Sequence, residues 1–248
     1  MALKISVITA VFNSRNTIAD ALESALSQSY PEVELIVIDG FSTDGTKDVI
    51  NEYIGSLSVL ISEPDKGIYF ALNKGICCAK GDVIGFMHSD DIYSNKHVLS
   101  RVAAVFEDSS VQAVYGDLLY VGKDDPSKVI RYWKAGEFIP RRLAWGWMPP
   151  HPTLYVRRSV YERIGGFDTR YRIAADYDHI LRVFSEATLN PVYIPEVLVK
   201  MRVGGKSNRS LSNIISKSLE DLTILRGNRV GGVITLILKN LRKIGQFR

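Results

Sequence analysis

Two acidic clusters contain the candidate metal-binding and catalytic residues of this sequence. Ser89-Asp90-Asp91 follows the apolar run at residues 83–87, and Asp176-Tyr177-Asp178 lies later in the chain. Neighbouring carboxylates at the carboxyl end of a buried strand repel each other unless a cation lies between them. Mg²⁺ takes one or two protein carboxylates and completes its coordination with water and substrate phosphates. The first cluster therefore predicts a divalent-metal site or, alternatively, a cap on a helix that begins near Asn95.

The hydrophobic pattern alternates between strands and helices in the first part of the chain. Strands are predicted at 4–11, 33–38, 58–62, 83–87, 113–117 and 192–194, and helices at 17–28, 45–54, 68–79, 96–107, 157–164 and 176–186. This alternation predicts a mainly parallel sheet with right-handed crossovers and helices on both faces, the doubly wound α/β class. The stretch 122–152 is predicted to form loops and short strands.

Polar residues follow each of the first four predicted strands. Asn13, Asp39, Asp65-Lys66 and Ser89-Asp90-Asp91 all occupy such positions. In a doubly wound sheet these loops open on one edge and form a common crevice. Each motif alone is also typical of an ordinary turn, but the recurrence after four consecutive strands favours a shared binding site.

Composition limits the classes of function. The chain has 248 residues, 46% of them hydrophobic and 23% charged, which is enough for one domain with an appended segment. The net charge of +4 comes largely from the C-terminal end, which indicates contact with an anionic surface and not with nucleic acid. Cys77 and Cys78 are adjacent, which does not suit a structural disulfide or a zinc site, so we expect a cytoplasmic protein. Residues 1–11 are predicted to be the first strand and not a signal peptide.

Five ordered motifs resemble the family 2 glycosyltransferases of the GT-A fold, of the bacterial surface-polysaccharide type. They are SVITAVFN at 6–13, VIDGFSTDGT at 37–46, DKGIYFALNKG at 65–75, GD at 81–82 and SDD at 89–91. The resemblance spans residues 4–208. It implies a GT-A domain at 1–208, with a nucleotide-binding half at 1–95 and an acceptor-binding half at 96–208. A helical basic extension is expected at 209–248.

The resemblance also implies an activity and a set of residues. The activity is transfer of a sugar, with inversion, from a nucleotide-diphosphate sugar with the help of Mn²⁺ or Mg²⁺. The nucleotide would be held by Thr9, Val11, Asn13, Asp39, Asp65, Lys66 and Asp90. Asp39 would accept a hydrogen bond from the base, typically uracil, as suits a carboxylate facing a ring N–H. Asp91 would be the main metal ligand, with Asp90 on the metal or the ribose. The metal would stabilise charge on the departing diphosphate.

Asp176 is the candidate for the catalytic base. Inverting transfer needs a base on the acceptor side, because the incoming hydroxyl loses its proton as the new bond forms. The family commonly has Glu-Asp here, whereas this chain has Ala175-Asp176, and Asp178 is a weaker candidate for the acceptor-binding role of the missing Glu. The alternative is that Asp176 only favours the start of a helix through the helix dipole.

Several further residues are assigned by the resemblance. His88 replaces an Asp that many members have, and it is expected to be a metal ligand, a partner of a ligand or, as we favour, a packed residue. His151 is expected to line the acceptor pocket. Arg202 or Lys206 would reach a phosphate of the donor or of a lipid-linked acceptor. Trp145 and Trp147 would either stack on sugars or lie in the core.

The tail from residue 210 to 248 has apolar residues at helical spacing and a basic end. Its apolar run is too short to cross a bilayer. An apolar face flanked by Lys239, Arg242 and Lys243 is typical of an interfacial helix on anionic lipid, on the inner face of the cell membrane. Packing against the domain or against a second subunit in a homodimer is the alternative.

The sequence therefore predicts an inverting, metal-dependent glycosyltransferase that uses a UDP-sugar to build bacterial envelope or exopolysaccharide glycans. Its acceptor would be a saccharide, including one linked to polyprenyl diphosphate. A sugar nucleotidyltransferase is one alternative, but that class would have a Gly-rich phosphate loop after the first strand, where this chain has Phe12-Asn13-Ser14-Arg15. A non-catalytic nucleotide-sugar-binding protein is another, and the presence of Asp91 together with Asp176 argues against it.

Overall fold

The computed structural model describes residues 2–204 and 211–244. Within these ranges the strands are β1 (Ile5–Val11), β2 (Val33–Asp39), β3 (Val59–Ser62), β4 (Val83–Phe86), β5 (Asp91–Tyr93), β6 (Ala113–Val121), β7 (Val129–Trp133), β8 (Tyr155–Arg157) and β9 (Pro191–Arg202). The α-helices are α1 (Ile18–Leu26), α2 (Thr46–Asn51), α3 (Ile68–Cys78), α4 (Val98–Phe106), α5 (Arg158–Ile164), α6 (Ala175–Phe184), α7 (Leu211–Gly227) and α8 (Val233–Ile244). Short 3-10 helices occupy Ile54–Ser56, Pro140–Trp145 and His151–Thr153.

The first four strands form a parallel sheet in the order β3-β2-β1-β4. Strand β1 is central, since its Ile5 is in register with Val33 of β2 on one side and Val83 of β4 on the other. The burial of every residue in β1 and β4 explains why these strands are mostly apolar. As predicted, the loops that follow β1 to β4 all leave from the same edge of the sheet.

The second half of the chain extends this sheet with mixed pairing. Strand β8 is antiparallel to β4 and to β6, β9 is parallel to β6, and β5 and β7 are antiparallel to β9 and β6. The sequence pattern did not reveal β5 or β8, because these strands have three residues each. Strand β7 lies in the stretch 122–152, where short strands were predicted. Strand β9 is also longer than predicted, running through Arg202, which brings that residue beside β5.

The two faces of the sheet each carry an apolar core. On one face α1 and α4 bury the residues that recur at helical spacing, such as Ile18, Leu22, Val98 and Val102. On the other face α3 and α6 pack over β1 and β4. Helix-to-sheet packing on both faces is what fixes the loop edge in place.

The helices α7 and α8 pack against α6 and against the 3-10 helix Pro140–Trp145. Helix α8 directs polar groups inward, because Thr235 donates a hydrogen bond to the carbonyl of Ala144 (2.8 Å) and Lys239 forms a buried ion pair with Asp221 (2.8 Å). The Lys239 ammonium also lies 3.3 Å from the ring centroid of Tyr177 in α6. Lys239, which was expected to flank a membrane-facing surface, is therefore an internal residue.

The opposite face of α8 is apolar and faces solvent. Its exposed side chains follow the spacing of one helical stripe and are those of Val233, Ile234, Ile237 and Leu241. No helix in the described ranges combines the length and the apolar character needed to cross a membrane.

Candidate active site

The Ser89-Asp90-Asp91 segment lies at the loop edge of the parallel strands and does not cap a helix. Asp91 is the first residue of β5, and α4 begins only at Val98 with His97 at its N-cap. The capping alternative is therefore wrong. The Ser89 hydroxyl hydrogen-bonds that of Ser14 (2.9 Å), which ties this segment to the loop after β1.

The carboxylate of Asp91 is buried, and neither of its oxygens has a hydrogen-bond partner among the described residues. Burial raises the pKa of Asp91 well above its usual range and the charge of Asp90 adds to this, while the backbone N–H and the charge of Arg202 oppose it. A buried carboxylate beside a second carboxylate has the chemistry of a cation ligand. In the part of the chain that the structure describes, no three His, Cys, Asp or Glu side chains are grouped to hold a metal. A cation at this pair would thus need further ligands from substrate and water.

Arg202 organises this segment from β9. Its side chain is buried, forms an ion pair with Asp20 of α1, and donates a hydrogen bond to the backbone carbonyl of Asp90 (3.3 Å). The guanidinium therefore holds the loop that contains the acidic pair. Lys206, the other residue predicted to reach a phosphate, lies outside the described residues.

Hydrogen bonds of Asp39 and Asn13 connect the loops after β1 and β2 with the end of β3. Its buried carboxylate accepts hydrogen bonds from the hydroxyl of Ser42 (2.5 Å), the backbone N–H of Ser42 (3.2 Å) and the hydroxyl of Ser62 (2.7 Å). Asn13 has a positive φ of 50°, and its side-chain oxygen accepts from the N–H of Thr43 (2.9 Å). Asp39 thus shapes the pocket predicted for the base.

Thr9 and Val11, which were predicted to line the nucleotide pocket, are buried in β1, in register with Val37 and Asp39 of β2. Val11 belongs to the apolar core on the face of the sheet that α1 and α4 cover. Asn13, two residues after the end of the strand, is exposed.

Asp65 is held by a lysine that the sequence analysis did not identify. Lys74 of α3 contacts Asp65 at 2.5 Å and Glu63 at 2.7 Å. The second oxygen of Asp65 is buried without a described partner. Lys66 is exposed, and the described residues give it no ion pair. The contact could have been inferred from the sequence, because the helix predicted at 68–79 begins soon after Asp65 and contains Lys74, which could reach back to the start of the helix.

Asp176 lies in the first turn of α6 and is held by Tyr69 of α3. The Tyr69 hydroxyl contacts an oxygen of Asp176 at 3.2 Å and donates to the carbonyl of Ile173 at 2.8 Å. The backbone N–H of Tyr177 donates to the same Asp176 oxygen (2.9 Å). Tyr69 belongs to the motif that also contains Asp65, so helix α3 connects the loop after β3 to the candidate base.

Two histidines lie between the acidic clusters. The ring of His151 stacks on Phe86 at 5.2 Å and lies 5.9 Å from the ring of His88. Burial lowers the pKa of His151 to about 4, although the charge of Asp176 opposes this. Burial also lowers the pKa of His88, against the charges of both Asp90 and Asp176. Both rings are therefore neutral at pH 7.

Tyr120 of β6 is also affected by a residue of each acidic cluster. Burial raises the pKa of Tyr120, and the charges of Asp91 and Asp176 raise it further.

Ring contacts connect the two clusters: His88, next to Ser89, lies 5.9 Å from His151, and the ring of His151 lies 5.6 Å from that of Phe167. Phe167 in turn lies 5.5 Å from Tyr69, whose hydroxyl contacts Asp176. The two acidic clusters therefore border a common region. The sequence could not supply this result, because the clusters are brought together by the long strands of the second half of the sheet.

The remaining predicted residues have structural contacts. Asp178 is buried, pairs with Arg182 (2.8 Å) and accepts a hydrogen bond from Asn228 (2.9 Å). Trp147 is buried and its indole N–H donates to the carbonyl of Ala135 (2.8 Å), which places it in the core. Trp145 is half exposed beside Arg242 and α8, away from both acidic clusters.

Comparison with known proteins identifies similar sequences. The sequence model of Glycosyl transferase family 2 matches residues 6–167. A PGL/p-HBAD biosynthesis glycosyltransferase of Mycobacterium bovis (strain BCG / Pasteur 1173P2) is 30% identical over 219 residues, covering 86% of this chain and 83% of the relative. An uncharacterized glycosyltransferase of Mycobacterium tuberculosis (strain CDC 1551 / Oshkosh) is 34% identical over 203 residues, covering 81% and 76%.

Solved structures share the fold. S. aureus TarS 1–349 in complex with UDP-GlcNAc superposes with a TM-score of 0.69 at 19% identity, covering 92% of this chain and 66% of that one. Mannosyltransferase PcManGT from Pyrobaculum calidifontis, in complex with GDP-Man and Mn²⁺, gives a TM-score of 0.68 at 19% identity, covering 98% and 70%. These glycosyltransferases have the GT-A fold, so the predicted fold class is confirmed.

Proposed function

Because the chain belongs to glycosyl transferase family 2 and is a glycosyltransferase, we propose that it moves a sugar, with inversion, from a UDP-sugar to a saccharide acceptor. The observation that carries this proposal is the series of contacts from His88, beside the first acidic cluster, through His151, Phe167 and Tyr69 to Asp176 in the second. One cluster is suited to the donor diphosphate and the other to the acceptor hydroxyl. Both TarS and PcManGT have been solved with a nucleotide sugar, which supports a donor of this class.

Asp39, Asn13 and the buried Thr9 and Val11 are proposed to form the base and ribose pocket. Asp39 is fixed by two serine hydroxyls, so its carboxylate is already oriented before a base arrives. Such preorganisation lowers the entropy cost of binding. Asp65, held by Lys74, would line the same pocket from the third loop.

Asp90 and Asp91 are proposed to hold Mn²⁺ or Mg²⁺. When bound, the metal would act as a Lewis acid on the donor diphosphate. The role of the chain is to place the carboxylates: the Ser14–Ser89 hydrogen bond fixes one end of the segment and Arg202 fixes the carbonyl of Asp90. Arg202 is thus proposed to position the acidic pair in place of the phosphate contact expected from the sequence.

Asp176 is proposed to accept the proton of the acceptor hydroxyl. Tyr69 and the N–H of Tyr177 hold one of its oxygens, and no described residue donates to the other, which leaves that oxygen for the acceptor. His151 and His88 would form the wall between donor and acceptor as neutral rings.

A lipid-linked acceptor and peripheral membrane contact are also proposed. The exposed apolar stripe of α8 lies beside Trp145 and Arg242, in an open groove that includes Leu238 and Leu241. Residues 138–161 and 222–248, which include the 3-10 helix Pro140–Trp145 and α8, contain no Asp or Glu. Apolar and basic groups on one helix face suit the surface of an anionic bilayer.

Vesicle co-sedimentation tests the membrane contact. We expect binding to phosphatidylglycerol vesicles, weaker binding to phosphatidylcholine vesicles, and loss of binding in the double variant Ile234→Ser/Ile237→Ser. The control is Thr223→Ser, an exposed residue on α7. Equal binding by the double variant and the wild type, or dimerisation through α8 in place of vesicle binding, would overturn this proposal.

A thermal-shift screen tests the donor assignment. UDP-, GDP- and dTDP-sugars are each added with and without Mn²⁺, because a ligand that binds only the folded state raises the midpoint by mass action. We expect UDP-sugars with Mn²⁺ to give the largest rise. An equal response to all three nucleotides would contradict the donor assignment.

Asp176→Asn tests the base. The substitution keeps the size of the side chain and removes its ability to take a proton, so the donor-induced thermal shift should be unchanged. UDP release from the preferred UDP-sugar, with water as the acceptor, should fall by roughly 100-fold or more, as expected for loss of a general base. Turnover within a factor of about two of the wild type would dismiss Asp176 as the base.

A further inference from the structure

The segment that leads into α6 is held from two sides. On one side Tyr69 of α3 contacts both the carbonyl of Ile173 and the carboxylate of Asp176. On the other side Glu220 of α7 accepts hydrogen bonds from three consecutive backbone N–H groups, of Arg172 (3.0 Å), Ile173 (3.0 Å) and Ala174 (2.9 Å).

The Glu220 contact uses both oxygens of the carboxylate. One oxygen accepts from Arg172 and the other accepts from Ile173 and Ala174. Ala174 is the N-cap residue of α6, and its own side chain cannot satisfy the free N–H groups at the start of a helix. A glutamate that is distant in sequence therefore binds the N–H of the N-cap residue and of the two residues before it, which fixes the backbone that leads into the first turn of α6.

The same region of the extension makes further contacts with α6. Asn228 donates to Asp178 (2.9 Å), and the buried Lys239–Asp221 pair lies against Tyr177. Residues 172–174 before Asp176, and Tyr177 and Asp178 after it, are thus in contact with α7, α8 or Asn228 between them. Asp176 itself contacts Tyr69 of α3. This pattern separates the residues that hold the helix from the residue proposed to react.

We propose that Glu220 is a positioning residue for Asp176: it fixes the backbone at 172–174 so that the carboxylate of Asp176 meets the acceptor hydroxyl. This inference rests on the proposed function, in which Asp176 is the base. It assigns the helical extension a part in turnover that is separate from membrane contact. Small displacements of a reacting group cost a large part of the rate, about 100-fold for about 1 Å.

The first test is the kinetics of Glu220→Ala and Glu220→Gln. Loss of all three acceptor contacts in Glu220→Ala should lower kcat for UDP release from the preferred UDP-sugar by roughly 10-fold to 100-fold, with the donor KM unchanged. Glu220→Gln keeps one acceptor oxygen and should recover part of the lost kcat. The matched control is Thr223→Ala on the same helix. The Thr223 hydroxyl donates to the carbonyl of Leu219 in its own helix, so this variant should have normal kcat.

The second test is a double-mutant cycle with Asp176→Asn. If Glu220 acts through Asp176, adding Glu220→Ala to Asp176→Asn should cause no further fall in kcat, because the group being positioned is already inactive. Additive losses in the cycle, or a normal kcat in Glu220→Ala, would overturn the inference. A donor-induced thermal shift equal to that of the wild type shows that each variant is folded, and Glu220→Gln carries the test if Glu220→Ala is not.

The outcomes for the two proposals are distinguishable. Normal turnover in Asp176→Asn removes the proposed base and the inference about Glu220 with it. A collapse of turnover in Asp176→Asn together with normal turnover in Glu220→Ala leaves the proposed function intact and removes only the positioning role.

Discussion

The ion pair between α7 and α8 gives a prediction whose size can be worked out from the structure. Lys239 and Asp221 are 2.8 Å apart, and their side chains are only 5% and 3% exposed. In Lys239→Met the side-chain volume is nearly kept, but Asp221 is left as a buried carboxylate without its cation. One oxygen of Asp221 already lacks a described hydrogen-bond partner, so no other group is in place to compensate.

Breaking a buried pair by removing one partner costs about 3–5 kcal/mol. Part of this loss comes from the contact of the ammonium with the Tyr177 ring, since such contacts contribute up to about 2 kcal/mol when desolvated. For a chain of 150–250 residues, about 1 kcal/mol corresponds to roughly 2–4 °C in the unfolding midpoint. Lys239→Met should therefore lower the midpoint by roughly 6–20 °C.

The assay is differential scanning calorimetry of the full chain, with urea unfolding as a second measure. Two comparisons make it specific. The double variant Lys239→Met/Asp221→Leu should recover most of the loss, because no unpaired charge remains buried. Arg226→Met removes an exposed cation from α7 and should change stability by less than about 0.5 kcal/mol. A loss below about 1 kcal/mol in Lys239→Met would mean that the pair behaves as a solvated surface pair, which refutes the reasoning.

Two further predictions concern packing and pH. Gly85→Ala should destabilise the fold by about 1–3 kcal/mol, because its Cβ would lie 2.4 Å from a ring carbon of Tyr155; urea unfolding measures this, and Gly55→Ala, whose Cβ would have no neighbour within 4 Å, is the control expected to be near neutral. Burial lowers the pKa of His179 well below 6.5, so the unfolded state binds the proton first. Stability should then be full above pH 6.5 and fall by up to about 1.4 kcal/mol per pH unit below it, and His179→Leu should flatten that dependence in urea unfolding at pH 5 and pH 7.5. An unchanged pH dependence in His179→Leu would contradict the assignment.

The nucleotide-binding half of the fold was predictable from sequence for a physical reason. Parallel strands that are buried on both faces must be mostly apolar, and β1, β2 and β4 are such strands, with polar exceptions such as Ser6 and Glu34, which hydrogen-bond each other. The second half was less predictable. Strands β5 and β8 have three residues each, which is too short for a periodic signal, and their pairing depends on β6 and β9, which are distant in sequence.

The candidate site was also only partly predictable from the sequence. Asp39, Asp65 and Asp91 follow predicted strands, so their common edge could be inferred from the sequence. Their partners could not be inferred, since Ser62, Lys74 and Arg202 reach them across loops, helices and a strand whose register only the structure gives. The role of Arg202 is an example: a basic residue near a Gly-Gly sequence suggested a phosphate contact, whereas burial and Asp20 make it an internal support for Asp90.

The measurement that most directly tests the central claim is calorimetric titration of Mn²⁺ into the protein with UDP present, for the wild type and for Asp91→Ala. We expect the wild type to bind Mn²⁺ and to bind UDP more tightly with Mn²⁺ than without it. Asp91→Ala should lose that Mn²⁺-dependent gain while keeping its fold by circular dichroism. Equal Mn²⁺ and UDP affinities in the two proteins would contradict the claim that this buried carboxylate holds the metal against the donor diphosphate.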